Sequence, residues 1–206
     1  MKRELFLRQH IRSDYCAVYA TAMCLTLCGF PTDRRAARRL FGVSRRTAWP
    51  GASHEDMRQA LCKTITGFSS RWNQVKKSDA SAAVALLNRA ARRGLVSLVA
   101  GFCKHRMLGV TCGHAFVLTG AGDELRILDP LSRCPEAGSF HNAWARPVTP
   151  TSGQLLPISG APWDLCLDQP LSYIGVGPHQ PHICCTGNVD RENDLRTAKR
   201  TAFPGR

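Results

Sequence analysis

From Cys16 to Cys28 the chain runs without interruption through small and apolar residues, and Gly29 and Pro31 follow at once. A glycine just past such a run and a proline beyond it are stop signals, so a helix is predicted to begin at Cys16 and end at Gly29. The polar residues before it, Arg12, Ser13 and Asp14, offer Ser13 or Asp14 as the helix cap. A single cysteine therefore opens the helix. The unpaired N–H groups of a first turn stabilise negative charge, and a thiol placed there ionises more readily than a free one. The plainer reading of Cys16 is a small buried hydrophobe, a common fate of free cysteine. What the rest of the chain brings to it decides between the two.

The elements that follow are helical at first. A second helix is expected from about Thr32 and Asp33, burying Ala36, Ala37, Leu40 and Phe41 and stopping at Gly42. A third starts at Ser53, whose spacing to Asp56 is that of a capping box, with Met57 and Leu61 on one face. A fourth runs from a Ser78 cap through Ala80 to Leu87, with Arg89, Arg92 and Arg93 at its C-terminal end before Gly94. The character then changes. Leu95–Ala100, Ala115–Thr119 and Leu125–Leu128 read as strands, the first two apolar enough to be central. Helices first and strands afterwards argue for α+β. From Ala137 onward only Trp144, Trp163 and a strand at Leu171–Ile174 look able to pack, and residues 188–206 read as polar and mobile.

The chain has 206 residues, enough for one domain with a real core. Only three apolar residues precede Arg8, too few for a secretory signal, and no stretch is long enough to span a membrane, so a cytoplasmic protein is expected. Ten cysteines without a signal read mostly as reduced thiols. The net charge of +13 includes Arg34, Arg35, Arg38 and Arg39, two pairs stacked on one helical face, with more at Arg45, Arg46, Arg92 and Arg93. Most such runs are solvated faces. The basic residues are not interleaved with aromatics as a base-stacking platform requires, and no zinc-finger or basic-zipper pattern occurs. Nucleic acid is thus the weaker partner reading and an acidic target the stronger one.

The residues from Gly113 to Pro130 bear on Cys16. Glycines mark the tip of a hairpin, and if Thr119 pairs with Glu124, His114 falls opposite Asp129. Directly opposed residues have Cβ atoms about 5 Å apart. The carboxylate can then hold one ring nitrogen and leave the other facing outward, which is what a catalytic base needs. Pro130 ends the strand where no ladder can continue.

A cysteine opening a helix, with a His/Asp hairpin downstream, resembles the papain-like cysteine peptidases, and within them the bacteriocin-leader (double-glycine) peptidases and their stand-alone relatives. The residues that carry the likeness are Gln9, Asp14, Cys16, Ala17, Ala20, Ala22, Gly113, His114, Asp129 and Pro130, over about residues 4 to 131. The resemblance implies a papain-like α+β fold over residues 1–176, helical to about 94 and sheet from about 95, with 177–206 a basic mobile tail. It implies Cys16 as nucleophile, His114 as general base and acid, Asp129 as its orienter, and Gln9 as oxyanion donor beside the Cys16 N–H. Gln9 lies seven residues before the cysteine where the family has six, and His10 holds the six-before place, so either can be the donor. Ala17 stands where glycine often follows the nucleophile, and Tyr15 separates Asp14 from Cys16. Asn142 with Trp144 is similar to the asparagine and tryptophan of plant-type papains and ranks below Asp129. No metal or organic cofactor is required. The implied partner is a protein or peptide substrate, acidic if the basic surface selects it, and a bacterial toxin or injected effector would suit these features.

Other readings remain open at this point. The same constellation can run acyl transfer or deamidation, or persist as a binding module without turnover. Cys103-Lys104-His105 and Cys112-Gly113-His114 form two Cys-x-His steps able to present four zinc ligands, and His179, His182, Cys184 and Cys185 form another candidate group. Cys24 and Cys28, four apart on a helix, read as core thiols. Truncating Cys16, His114 or Asp129 to alanine is expected to leave folding largely intact.

Overall fold

A computed structural model of the protein describes residues 6–10, 13–43, 51–75, 80–92, 96–121, 124–146 and 155–177. Among these the chain is α+β, with four helices and an antiparallel sheet. The helices are α1 (Cys16–Leu27), α2 (Arg34–Leu40), α3 (His54–Thr64) and α4 (Ala80–Arg92). The strands are β1 (Asn73–Val75), β2 (Val96–His105), β3 (Thr111–Ala121), β4 (Leu125–Leu128), β5 (Ala143–Ala145), β6 (Leu155–Pro157), β7 (Trp163–Cys166) and β8 (Leu171–Val176).

The strand order is β1-β8-β2-β3-β4-β5, with the β6–β7 hairpin joined to β2 through β7. The long strand β2 organises this arrangement. One edge pairs with β3 from Ser97 to Lys104, while the other is shared, Val96–Ala100 pairing with β8 and Cys103–His105 with β7. Gly101 sits where the partner changes. A Cβ there would lie 2.8 Å from Leu171 Cδ1 and 3.3 Å from Leu165 Cδ1, so glycine lets both neighbouring strands close on β2 without displacing these leucine side chains.

Alternation along the strands gives the sheet two apolar faces. Leu98, Ala100, Ala115, Val117, Leu128, Ile174 and Val176 pack with α1, while Val99, Phe116, Leu118, Leu125, Ile127 and Tyr173 pack with α4. Helix α4 is amphipathic and buries Ala83, Val84, Leu87, Ala90 and Ala91 at helical spacing. Helix α1 is apolar all round because it is covered all round, by the sheet on one side and by Ala37 of α2 and Met57 and Leu61 of α3 on the other. Full burial of side chains such as Met23 and Leu25 contributes about 1.5–3 kcal/mol each, so α1 is fixed in place by its own composition.

Helix ends follow the sequence closely at α2 and α3. Asp33 accepts from the Ala36 N–H, Gly42 takes φ +66° just after Phe41, and Ser53 with Asp56 forms a capping box. Ser78, Arg93, Gly94 and Leu95, expected to bound the fourth helix and the first long strand, lie outside the described residues, as do Arg45, Arg46 and residues 178–206. The segment from Ala137 departs from expectation. It supplies four strands rather than one, and the helical half of the chain contains β1, paired with β8. Strands of three or four residues carry too little alternation to be read from sequence. No helix among the described residues is long and apolar enough to cross a membrane.

Candidate functional site

The helix start at Cys16 is built differently from its expected form. Neither Ser13 nor Asp14 caps α1: the N-cap is Tyr15, with no side-chain cap bond, and both the N–H and hydroxyl of Ser13 bond to the His10 carbonyl. A tight local turn has claimed the serine. No side-chain cap bond forms at the first turn, and the Ala17 N–H and the Ala115 N–H of β3 both favour a charged Cys16 sulfur. The thiol therefore stands at the positive end of α1 and against the sheet strand that carries His114.

His114 and Asp129 meet, but not by the expected register. The observed pairs are Val117 with Leu128 and Leu118 with Ile127, then Gly120 with Arg126, with an irregularity at Thr119. Continued down the hairpin, this register places Asp129 beside Phe116, two residues from His114. A shift of two keeps both side chains on one face, whereas a shift of one would have parted them. His114 Nε2 lies 2.7 Å from Asp129 Oδ1, with both side chains buried. The Cys16 thiol and the His114 ring are close enough that each favours the charged form of the other.

Three residues that the sequence reading did not place complete the aspartate's surroundings. Ser132 Oγ and Trp163 Nε1 both donate to Oδ2, the latter at 3.1 Å, and the Leu131 N–H donates to Oδ1 at 3.2 Å. The Trp163 ring stands edge-on to the imidazole with centroids 4.9 Å apart. Asn142 clamps the backbone of the same turn: its Oδ1 accepts from the Asp129 N–H and its Nδ2 donates to the Asp129 and Arg133 carbonyls, each at 2.8 Å. Asn142 thus holds the aspartate's main chain rather than the imidazole. Trp144 is 40% exposed, whereas Trp163 is buried. The β6–β7 hairpin that carries Trp163 is held by Arg106, which bonds Asp164 at 2.9 Å and the carbonyls of Ile158 and Ala161.

Electrostatics couple the three side chains. Burial works against a charged His114, but the Asp129 carboxylate and the Cys16 thiol outweigh it, and its pKa is pushed from 6.5 up to about 10. Burial likewise resists ionisation of Cys16, and the hydrogen bond and charge of His114 together with the two N–H groups overcome it, so the thiol lies below its ordinary 9.0. Asp129 is disfavoured by burial and favoured more strongly by His114, Ser132 and Leu131, which hold it below the usual carboxylate value. All three shifts act in the direction of a thiolate beside an imidazolium beside a carboxylate.

Gln9 reaches the same corner through its backbone, its N–H donating to the Pro130 carbonyl at 2.7 Å. Its buried side chain donates from Nε2 to the Ser13 carbonyl, and its Oε1 accepts no hydrogen bond among the described residues. An amide nitrogen carries two hydrogens, and among the described residues Nε2 makes this one bond. His10 is exposed, and its carbonyl receives Ser13.

Those zinc ligands suggested by the sequence that lie among the described residues do not converge. Among the described residues no three of His, Cys, Asp and Glu are grouped to hold a metal ion. Cys103 is buried, Cys112 is exposed, and His114 is committed to Asp129. His105 accepts from the Leu108 N–H at its Nδ1. His179, His182, Cys184 and Cys185 lie outside the described residues. Cys24 and Cys28 are buried free thiols, and Cys24 is raised by its bond to Cys28 and by burial. No protein-family model matches this chain, and no curated protein matches it.

Proposed function

We propose that this protein is a papain-like cysteine peptidase, with Cys16 as nucleophile. The observation that carries the reading is the buried His114–Asp129 pair, Nε2 to Oδ1 at 2.7 Å, beside a Cys16 thiol whose pKa His114 lowers and which in turn raises that of His114. A helix that presents a thiolate from its first turn to a strand bearing the imidazole is the arrangement the papain-like reading requires.

The chemistry follows from the protonation state. The Cys16 thiolate attacks the scissile carbonyl carbon, and the developing oxyanion is met by the Cys16 N–H, which has no intrahelical acceptor, and by the remaining N–H of Gln9 Nε2. The ring proton of His114 that faces the thiol passes to the leaving amine, giving a thioester on Cys16. The neutral ring then takes a proton from water, which attacks the thioester and releases the acid. Asp129 keeps the ring in one tautomer and orientation throughout. Its buried hydrogen bonds fix it in place.

Site-resolved alkylation tests this reading. At a limiting dose of iodoacetamide near neutral pH, Cys16 is expected to label before Cys112, although Cys112 is the more exposed, because burial and the neighbouring Cys16 and Asp14 charges raise the Cys112 thiol. The preference should vanish in His114→Ala protein. Labelling that follows exposure alone, with Cys16 silent, would remove the hypothesis.

A further inference from the structure

We propose that the cleft along α2, lined by Arg34, Arg35, Arg38, Arg39 and Val43, binds an acidic stretch of polypeptide and so guides an acidic substrate to Cys16. The substrate role rests on the peptidase reading above; the binding site stands on its own observations.

The cleft has a volume of about 560 Å³. Its inner row is pinned. The Arg34 guanidinium lies 5.5 Å over the Tyr19 ring and that of Arg38 lies 5.1 Å over the Tyr15 ring, the two rings being stacked on α1 with centroids 5.6 Å apart. Arg34 also donates to the Arg8 carbonyl at 3.3 Å. Arg35 and Arg39 form an outer, exposed row one residue further round the helix. None of the four forms an ion pair among the described residues, and Arg38 Nε is buried without an acceptor there. Like charges at i,i+4 repel one another. Four of them gathered in a concave site without a carboxylate form a standing demand for an anion.

The geometry selects the kind of anion. A fully solvated face would need no tyrosine ladder beneath it, and pinned guanidinium groups lose little freedom when a carboxylate arrives in bidentate fashion. Base stacking is not on offer, because the two tyrosine faces are already covered by arginine. The cleft holds a few side chains and spans only the two turns of α2. Tyr15, beneath Arg38, is bonded to Cys16. A chain crossing the arginines would therefore reach the thiol within a few extended residues, at about 3.3–3.6 Å each.

The test is fluorescence anisotropy on Cys16→Ala protein, which separates binding from turnover. The probes are a labelled dodecamer of alternating Glu and Ala, its Gln and Ala counterpart, and a single-stranded DNA dodecamer. The glutamate peptide is expected to bind about tenfold more tightly than the glutamine one at low salt, and less so near 300 mM, where the Debye length is under about 10 Å. Adding Arg35→Glu and Arg39→Glu, both at exposed positions, should abolish the difference while the far-ultraviolet spectrum and melting point hold. Equal affinity for the two peptides, or a preference that survives charge reversal, would overturn the proposal, and so would DNA binding more tightly than the glutamate peptide. If the peptide binds as expected but Cys16 is not preferentially alkylated, the peptidase reading falls and the acidic-peptide site remains. The opposite pair of results removes the site alone.

Discussion

Trp163 Nε1 donates to Asp129 Oδ2 at 3.1 Å, linking residues 34 apart in the chain, and the same indole ring packs edge-on against the imidazole that Asp129 holds. One side chain thus supports both the acid and the base of the His–Asp pair. Replacing Trp163 by Phe keeps most of the ring and deletes the donor. The expected cost is about 1–3 kcal/mol of stability, from the unpaired carboxylate lone pair, with kcat reduced more than KM. Trp163→Ala adds a cavity and should cost about 3–5 kcal/mol. Denaturant unfolding of the two variants checks both figures.

Asp129 is fully buried and accepts four hydrogen bonds, which argues that its truncation will cost stability rather than leave folding largely intact. Asp129→Ala should destabilise by about 3–5 kcal/mol, the cost of leaving a buried partner charge alone. Asp129→Asn should cost less, because it still accepts at one oxygen, yet should slow turnover strongly by losing the charge that holds His114. Paired urea melts and single-turnover rates separate the two effects.

The pH dependence has a definite sign. In Cys16→Ala protein the His114–Asp129 pair titrates without the thiol. His114 has a folded pKa above its ordinary 6.5, so its stabilisation is complete below about pH 6.5 and is lost as pH rises through the folded value. That value falls short of the about 10 of the intact site, since Cys16 contributes to it. Asp129 is depressed, so its contribution is present above its ordinary 3.8 and lost as pH drops below that. The difference in stability between Cys16→Ala and Cys16→Ala/His114→Gln should therefore be level between about pH 5 and 6.5. Above that it should decline by at most about 1.4 kcal/mol per pH unit. A rising difference would contradict the coupling.

Two glycines should respond differently to alanine. At Gly101 the new methyl group meets the ends of two leucine side chains, which can move, and a cost of about 1–3 kcal/mol is expected. At Gly160, with φ +80°, it meets the Asn142 carbonyl oxygen at 2.5 Å, which is backbone. Gly160→Ala should cost more and should also lower activity, because Asn142 holds the Asp129 turn. Melting points and turnover measured on both variants test the distinction.

The His114–Asp129 pair was legible because strand alternation forgives a register error of two, and Pro130 marks where the strand must stop. The start of α1 at Cys16 was legible for the same kind of local reason, an apolar run with a glycine stop. Its cap was misread because Ser13 had a nearer carbonyl, that of His10, to bond. Ser132 left no local signal, Trp163 was legible only as a packing residue, and Asn142 was singled out by its likeness to plant-type papains without its hold on the Asp129 backbone being readable. Their roles depend on a hairpin of three- and four-residue strands docking beside Asp129, a contact decided by packing across the sheet and not by periodicity.

The split edge of β2 sets an order of events during synthesis. Cys16 emerges from the ribosome first, and the imidazole and carboxylate that meet beside it follow at residues 114 and 129. The indole that braces them arrives only with residue 163, and the strand that inserts between β1 and β2 is finished at residue 176. A nascent chain thus carries its thiol through most of translation without a completed partner, and the Cys16–His114–Asp129 arrangement is assembled only near the close of the sheet.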